Sequence, residues 1–229
     1  MATERASRPF VGREPETSKV LECIKGGRAA VILVGDGGVG KSRLAAHVID
    51  QLVISGWTTG TVRASLAARD IPYGALAHLL PVSSPSGVLN PLRWAVEELT
   101  RPGRRQVLLV DDVHHIDHAS AAVINFLVVH RRATVIATMR VGEDVPDSIT
   151  ALLRDDVAER ILVGPLPEAA IAELLEQALA GAVDDLTVRR LTELSEGNAL
   201  VLHELVEAAQ ESGSLRGPPF RLIAPIPPS

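Results

Sequence analysis

The chain has 229 residues, 46% of them hydrophobic but only 3% aromatic, so Leu, Val, Ile and Ala must fill whatever core it builds. Acidic residues outnumber basic ones 28 to 23, and the formal charge of -5, with no Lys/Arg-rich patch along the sequence, argues against a surface made to hold a DNA duplex. The single cysteine, Cys23, excludes an internal disulfide, and without an apolar leader or an uninterrupted apolar run of membrane-spanning length the expected setting is the cytoplasm, with no membrane partner.

Residues 1–9 read as a disordered arm. A helix is expected over 15–25, with Val20, Leu21 and Ile24 on one face and Gly26-Gly27 as its stop. The apolar run 30–34 then reads as a buried strand and 41–54 as a helix, and between them stands Gly35-Asp36-Gly37-Gly38-Val39-Gly40-Lys41-Ser42. That octet matches G-x-x-x-x-G-K-[ST], and the strand and helix on its two sides are the context the motif requires. Glycines let backbone N–H groups approach phosphate oxygens, Lys41 brings a mobile charge to the β- and γ-phosphates, and Ser42 brings a hydroxyl to Mg²⁺.

Further on, 57–63 reads as a second strand, 75–80 as a short helix, 81–91 as a loop rich in Ser, Pro and Gly, and 92–100 as a helix. Gln106 to Val110 is a continuous apolar strand that ends in Asp111-Asp112, which places two carboxylates at the strand ends where open α/β sheets bind ligands. Asp111 is the candidate to orient Mg²⁺ through water, and Asp112 to hold the attacking water. The nearby His114, His115 and His118 leave a zinc site as an alternative, although the Mg²⁺ reading already uses Asp111; otherwise they form a helix-entry loop capped by Asp117 or Ser120. A helix over 119–130 and a strand over 133–138 lead to Arg140, which either faces the γ-phosphate or pairs with a surface carboxylate. A helical turn over 148–153 and a strand over 160–163 close this part. From Pro165 the period is helical, over 168–180, 185–195 and 199–210, and 214–229, with five prolines, is expected to stay irregular. The domain plan is therefore an arm at 1–9, a nucleotide-binding domain at 10–164, a helical lid at 165–213 and a tail at 214–229. The chain stops abruptly, as a piece of a longer protein would.

Taken together, Phe10-Val11-Gly12-Arg13-Glu14, the phosphate loop running on into Arg43-Leu44, Asp111-Asp112-Val113-His114-His115-Ile116-Asp117, Thr138-Met139-Arg140 and Gly197-Asn198-Ala199-Leu200 resemble the nucleotide-binding module of the STAND class of AAA+-related ATPases. More narrowly, they are similar to the large ATP-binding regulators of the LuxR type. The resemblance spans residues 8–213. It implies an α/β P-loop NTPase sandwich of the ASCE type around a central parallel sheet, followed by a small all-α lid, with ATP or ADP and Mg²⁺ as cofactors. Val11, Gly12 and Arg13 would line the adenine and ribose end. Gly35, Asp36, Gly37, Gly38, Val39, Gly40, Lys41, Ser42 and Arg43 would hold phosphates, Ser42 and Asp111 the metal. Lys41, Asp111, Asp112 and the sensor Arg140 would serve catalysis. Two positions depart from the pattern: His115 stands where Trp or Leu is frequent, and Ala199 where a Pro usually touches the nucleotide from the lid. DNA would be met only by a C-terminal domain that this chain lacks, and effector-controlled self-association is a further expectation. The function implied is an ATP-hydrolysing switch of a transcriptional regulator; the alternatives are a nucleotide-binding module that does not hydrolyse, or a small-molecule kinase or metabolic ATPase.

Overall fold

The computed structural model describes residues 10–81, 90–100 and 105–223. Its elements run α1 (Glu14–Lys25), β1 (Ala30–Gly35), α2 (Lys41–Ile54), β2 (Thr58–Arg63), α3 (Pro91–Leu99), β3 (Gln106–Asp111), α4 (His118–Val129), β4 (Thr134–Arg140), α5 (Asp147–Arg154), β5 (Ala158–Leu162), α6 (Glu168–Leu179), α7 (Asp185–Ser195) and α8 (Ala199–Glu211). Two short strands follow, β6 (Leu215–Arg216) and β7 (Arg221–Leu222). Most of the expected loop over 81–91 lies outside the described residues. The short helix expected over 75–80 is a single 3₁₀ turn, Gly74–Leu76.

The chain divides into two compact units. One comprises Pro15–Gly35 and Lys41–Leu162. In it five parallel strands lie in the order β2-β3-β4-β1-β5, flanked by helices, which is the P-loop NTPase sandwich. The insertion of β4 between β1 and β3 is what the ASCE expectation required. Every residue of β1 is buried, as an apolar strand covered on both faces must be, whereas the edge strand β2 buries only Val62. The core beneath is aliphatic: Ile32, Leu108, Ile124, Leu127 and Leu152 are among its largest fully buried side chains.

The other unit comprises residues up to Glu14, the loop Asp36–Gly40, and the chain from Val163 onward. Helices α6, α7 and α8 close around Ile171, Leu175, Leu191, Leu202 and Ala209. Where an irregular tail was expected, Leu215–Arg216 pairs antiparallel with Arg221–Leu222. Leu215, Phe220 and Leu222 pack on the helical core, so apolar burial overrides the proline content there.

Candidate functional site

In the sheet unit, β1 ends at Gly35 and the chain re-enters at Lys41, the first residue of α2. Lys41 is buried, and its Nζ donates to the Gly35 carbonyl at 2.9 Å. One residue on, Ser42 Oγ donates to Asp111 Oδ1 at 2.7 Å. The two elements that the sequence pointed to, the start of α2 and the end of β3, therefore meet at hydrogen-bond distance.

A third element completes this meeting. Thr138 of β4, fully buried, donates its hydroxyl to the same Asp111 Oδ1 at 2.7 Å and accepts the Asp112 N–H at 2.8 Å. One hydroxyl thus fixes both neighbouring aspartates, the first through its carboxylate and the second through its backbone. Asp112 turns into the left-handed region with φ 52°, a conformation Asp tolerates better than most residues, and its carboxylate has no hydrogen-bond partner among the described residues. Arg140 is exposed at the end of β4, and its Cα lies in register with Gly35, beside the entry to the phosphate loop. Arg43 is half-buried on the first turn of α2. The sequence named Thr138 only beside Arg140 and gave it no role, because it sits inside an apolar run; it is the polar residue of β4 that lies next to the end of β3.

Asp117 is the cap of α4, accepting the Ser120 N–H at 2.8 Å. The same carboxylate, 2% exposed, also accepts the N–H groups of Tyr73 at 2.9 Å and Ala75 at 3.1 Å, which pins the 3₁₀ turn to the helix start. His114 is buried on the 3₁₀ turn Val113–His115, its ring centroid 4.0 Å from that of His115. Burial, reinforced by the neighbouring His115, pushes its pKa below the ordinary histidine value, so the neutral ring is favoured. Among the described residues no His, Cys, Asp and Glu side chains gather as a metal-binding group; His114 lies on the turn, whereas exposed His118 opens α4.

The loop Asp36–Gly40 belongs to the helical unit, where its carbonyls are taken in sequence. Asn198 Nδ2 donates to Gly37 O at 2.7 Å, the Leu200 N–H to Gly38 O at 3.1 Å, and Arg13 Nη2 to Val39 O at 2.9 Å. Arg13 is buried and donates also to Gly164 O at 2.6 Å. Asn198 is the N-cap of α8, its Oδ1 accepting from Leu200 and Val201, so one side chain closes a helix and grips the loop. Gly38 has φ 82°, and a Cβ there would collide with Asn198. Val11 is buried, and Gly12, at φ 69°, sits so close to α6 that a Cβ would run into Ala170. Asp36 and Gly37 are exposed and Gly40 is half-buried. The sequence pattern left Asn198 without a role, although a Gly-Asn pair before an apolar helix is a cap signal.

Five parallel strands in this order, with the G-x-x-x-x-G-K-[ST] octet after β1, have the P-loop NTPase fold. The family model described as an AAA ATPase domain matches residues 9–84. Among solved structures, the Thermotoga maritima RuvB Holliday junction branch migration motor is similar with a TM-score of 0.55 and 15% identity, over 88% of this chain and 63% of that one. Cdc6p from Pyrobaculum aerophilum is similar with a TM-score of 0.62 and 15% identity, over 88% of this chain and 62% of that one. The chain thus spans less than two thirds of either. A search of curated protein sequences finds no match. Among the described residues no helix is long and apolar enough to cross a membrane.

Proposed function

We propose that the chain is the ATP-binding and slowly ATP-hydrolysing switch module of a STAND-type regulator of the LuxR kind, whose ATP or ADP state biases the arrangement of its domains. The observation that carries the reading is the Ser42–Asp111–Thr138 hydrogen-bond chain one residue from Lys41. Ser42 Oγ and Asp111 Oδ1 are hard oxygen donors already 2.7 Å apart, which fits Mg²⁺. Bound there, Mg²⁺ would neutralise charge on the terminal phosphates. Lys41 would leave the Gly35 carbonyl for a phosphate oxygen, and the unengaged carboxylate of Asp112 would orient the attacking water and accept its proton. Arg140, next to Gly35 in register, would read the γ-phosphate. Val11, Gly12 and Arg13 would border the base and ribose, with Arg13 acting mainly by holding Val39 and Gly164.

Calorimetric titration of ATP and ADP, each with Mg²⁺, into the intact chain and its Lys41→Ala variant tests the binding. Loss of measurable affinity in the variant is expected, and unchanged affinity overturns the assignment. Phosphate release separates a slow ATPase from a module that only binds. A phosphorylated small molecule among the products would instead identify a kinase.

A further inference from the structure

At the N-terminal end of the sheet, where β3 and β4 begin, lies a cleft of about 380 Å³. Its lining includes Lys25, Arg28, Arg105, Arg131 and Arg132, with Trp57 among them, and among the described residues includes no carboxylate. Sequence distance hides this cluster, since its cations come from three separate stretches: the end of α1, the start of β3 and the turn between α4 and β4. No Lys/Arg-rich patch stands out along the sequence, and the fold brings these cations together.

Ion pairing leaves most of the cleft's cations unmatched. Arg28 reaches Asp156 at 3.4 Å and Glu159 at 3.5 Å, but Lys25, Arg105, Arg131 and Arg132 form no ion pair with a described residue. The C-terminal ends of α1 and α4 contribute only about half a negative charge each. Gathering like charges works against folding, so their convergence calls for an anion. Two of the arginines are also held in place: Arg131 takes φ 52° and donates Nη1 to the Gly27 carbonyl at 2.9 Å, and the Arg105 guanidinium carbon lies 5.8 Å from the Trp57 ring centroid.

We propose that this cleft binds a small phosphorylated ligand, its phosphates on the arginine forks and Lys25 and a planar group against Trp57. Guanidinium groups match phosphate oxygens bidentately, an indole face suits a flat ring, and the cleft volume lies within the range of small-molecule pockets. A long nucleic-acid strand fits less well, because beyond the cleft it would meet a chain of formal charge -5. The site is distinct from the phosphate loop, whose Lys41 and Ser42 lie with Asp111 at the opposite ends of the strands.

The test uses the full chain carrying Lys41→Ala, which silences the phosphate loop, and Trp94→Phe, which leaves Trp57 as the sole tryptophan. Sodium tripolyphosphate is titrated while Trp57 emission is read. A saturable change is expected, weakened by added salt and weakened roughly tenfold or more when exposed Lys25 and Arg132 are both replaced by alanine. Arg105→Gln serves as the second variant should melting curves show the double replacement to be unfolded. The absence of a saturable change, equal affinity in a folded variant, or binding of a single-stranded oligonucleotide but not of tripolyphosphate overturns the proposal.

Discussion

Replacing Thr138 by valine keeps the shape of a fully buried side chain and removes only its hydroxyl. Two bonds disappear: the one given to Asp111 Oδ1 at 2.7 Å and the one accepted from the Asp112 N–H at 2.8 Å. A hydrogen bond to a charged group contributes about 1.5–3 kcal/mol, and an orphaned, partly buried N–H costs on the order of 1 kcal/mol, so the loss is roughly 2–4 kcal/mol. For a protein of this size that is a fall in Tm of about 4–16 °C. Thr138→Ser keeps the hydroxyl and gives up one methyl, about 1 kcal/mol. Urea unfolding of the three proteins measures the difference. The same set titrated with ATP at varied Mg²⁺ reads whether Asp111 has lost its orientation: Thr138→Val should need severalfold more Mg²⁺, and Thr138→Ser should stay near the parent. If serine proves as damaging as valine, or if valine changes neither stability nor Mg²⁺ dependence, the hydroxyl is not what organises the two aspartates.

Lys41→Ala should abolish the stabilisation by nucleotide: at a hundredfold excess over Kd, MgATP should raise the stability of the parent by about 2.7 kcal/mol, and thermal-shift curves of the variant should not move. Asn198→Ala removes the cap of α8 and the donor to Gly37 O, and chemical denaturation should register a loss of about 1–2 kcal/mol. Asn198→Asp keeps the cap but turns an acceptor towards that carbonyl, so it should recover only part of the loss. Asp117→Ala strips acceptors from the N–H groups of Tyr73, Ala75 and Ser120, and amide exchange at those residues should accelerate while the β1 core stays protected. His114 has a folded-state pKa below its ordinary value of about 6.5, so the unfolded chain binds the extra proton more readily. Its contribution to stability is therefore complete above that value and drains as pH falls from about 6.5 towards the folded-state pKa. His114→Gln should flatten the acid-side decline of Tm, and an unchanged pH profile would refute the assignment.

What could be read from the sequence was what local pattern encodes. The apolar run 30–34 and the octet after it specify a strand and a glycine-rich turn without help from the rest of the chain, and β1 and α2 fall where they were expected. Asp111-Asp112 could be placed because they end an apolar strand. The partners of these groups could not, since a hydroxyl in a buried strand reads as a β-former until the neighbouring strand is known, and strand order is a property of the whole sheet. The role of Thr138 becomes legible only once β4 is seen between β1 and β3. The cationic cleft was hidden for the same reason, as Lys25, Arg105 and Arg132 share no local pattern. The two short strands at 215–222 were obscured differently: prolines argued for irregular chain, while Leu215, Phe220 and Leu222 were too few to announce that they would be buried.

The grip on the phosphate loop shows how distant residues can set the chemistry of a motif. A peptide unit is planar and trans, so the carbonyl of one residue and the N–H of the next point in opposite directions. Donors from Asn198, Leu200 and Arg13 hold the carbonyls of Gly37, Gly38 and Val39, and the N–H groups of Gly38, Val39 and Gly40 are thereby turned the other way. Three successive N–H groups turned away from those donors are what an anion cradle needs, and glycine alone does not impose that orientation, because a permissive backbone permits the reverse equally well. The donors match the loop carbonyls one to one, since a side-chain amide, a helix-start N–H and a guanidinium each meet a single oxygen of the loop, and two of the three belong to the capping turn of α8. The motif supplies the freedom to form the cradle, and residues far along the chain select its polarity.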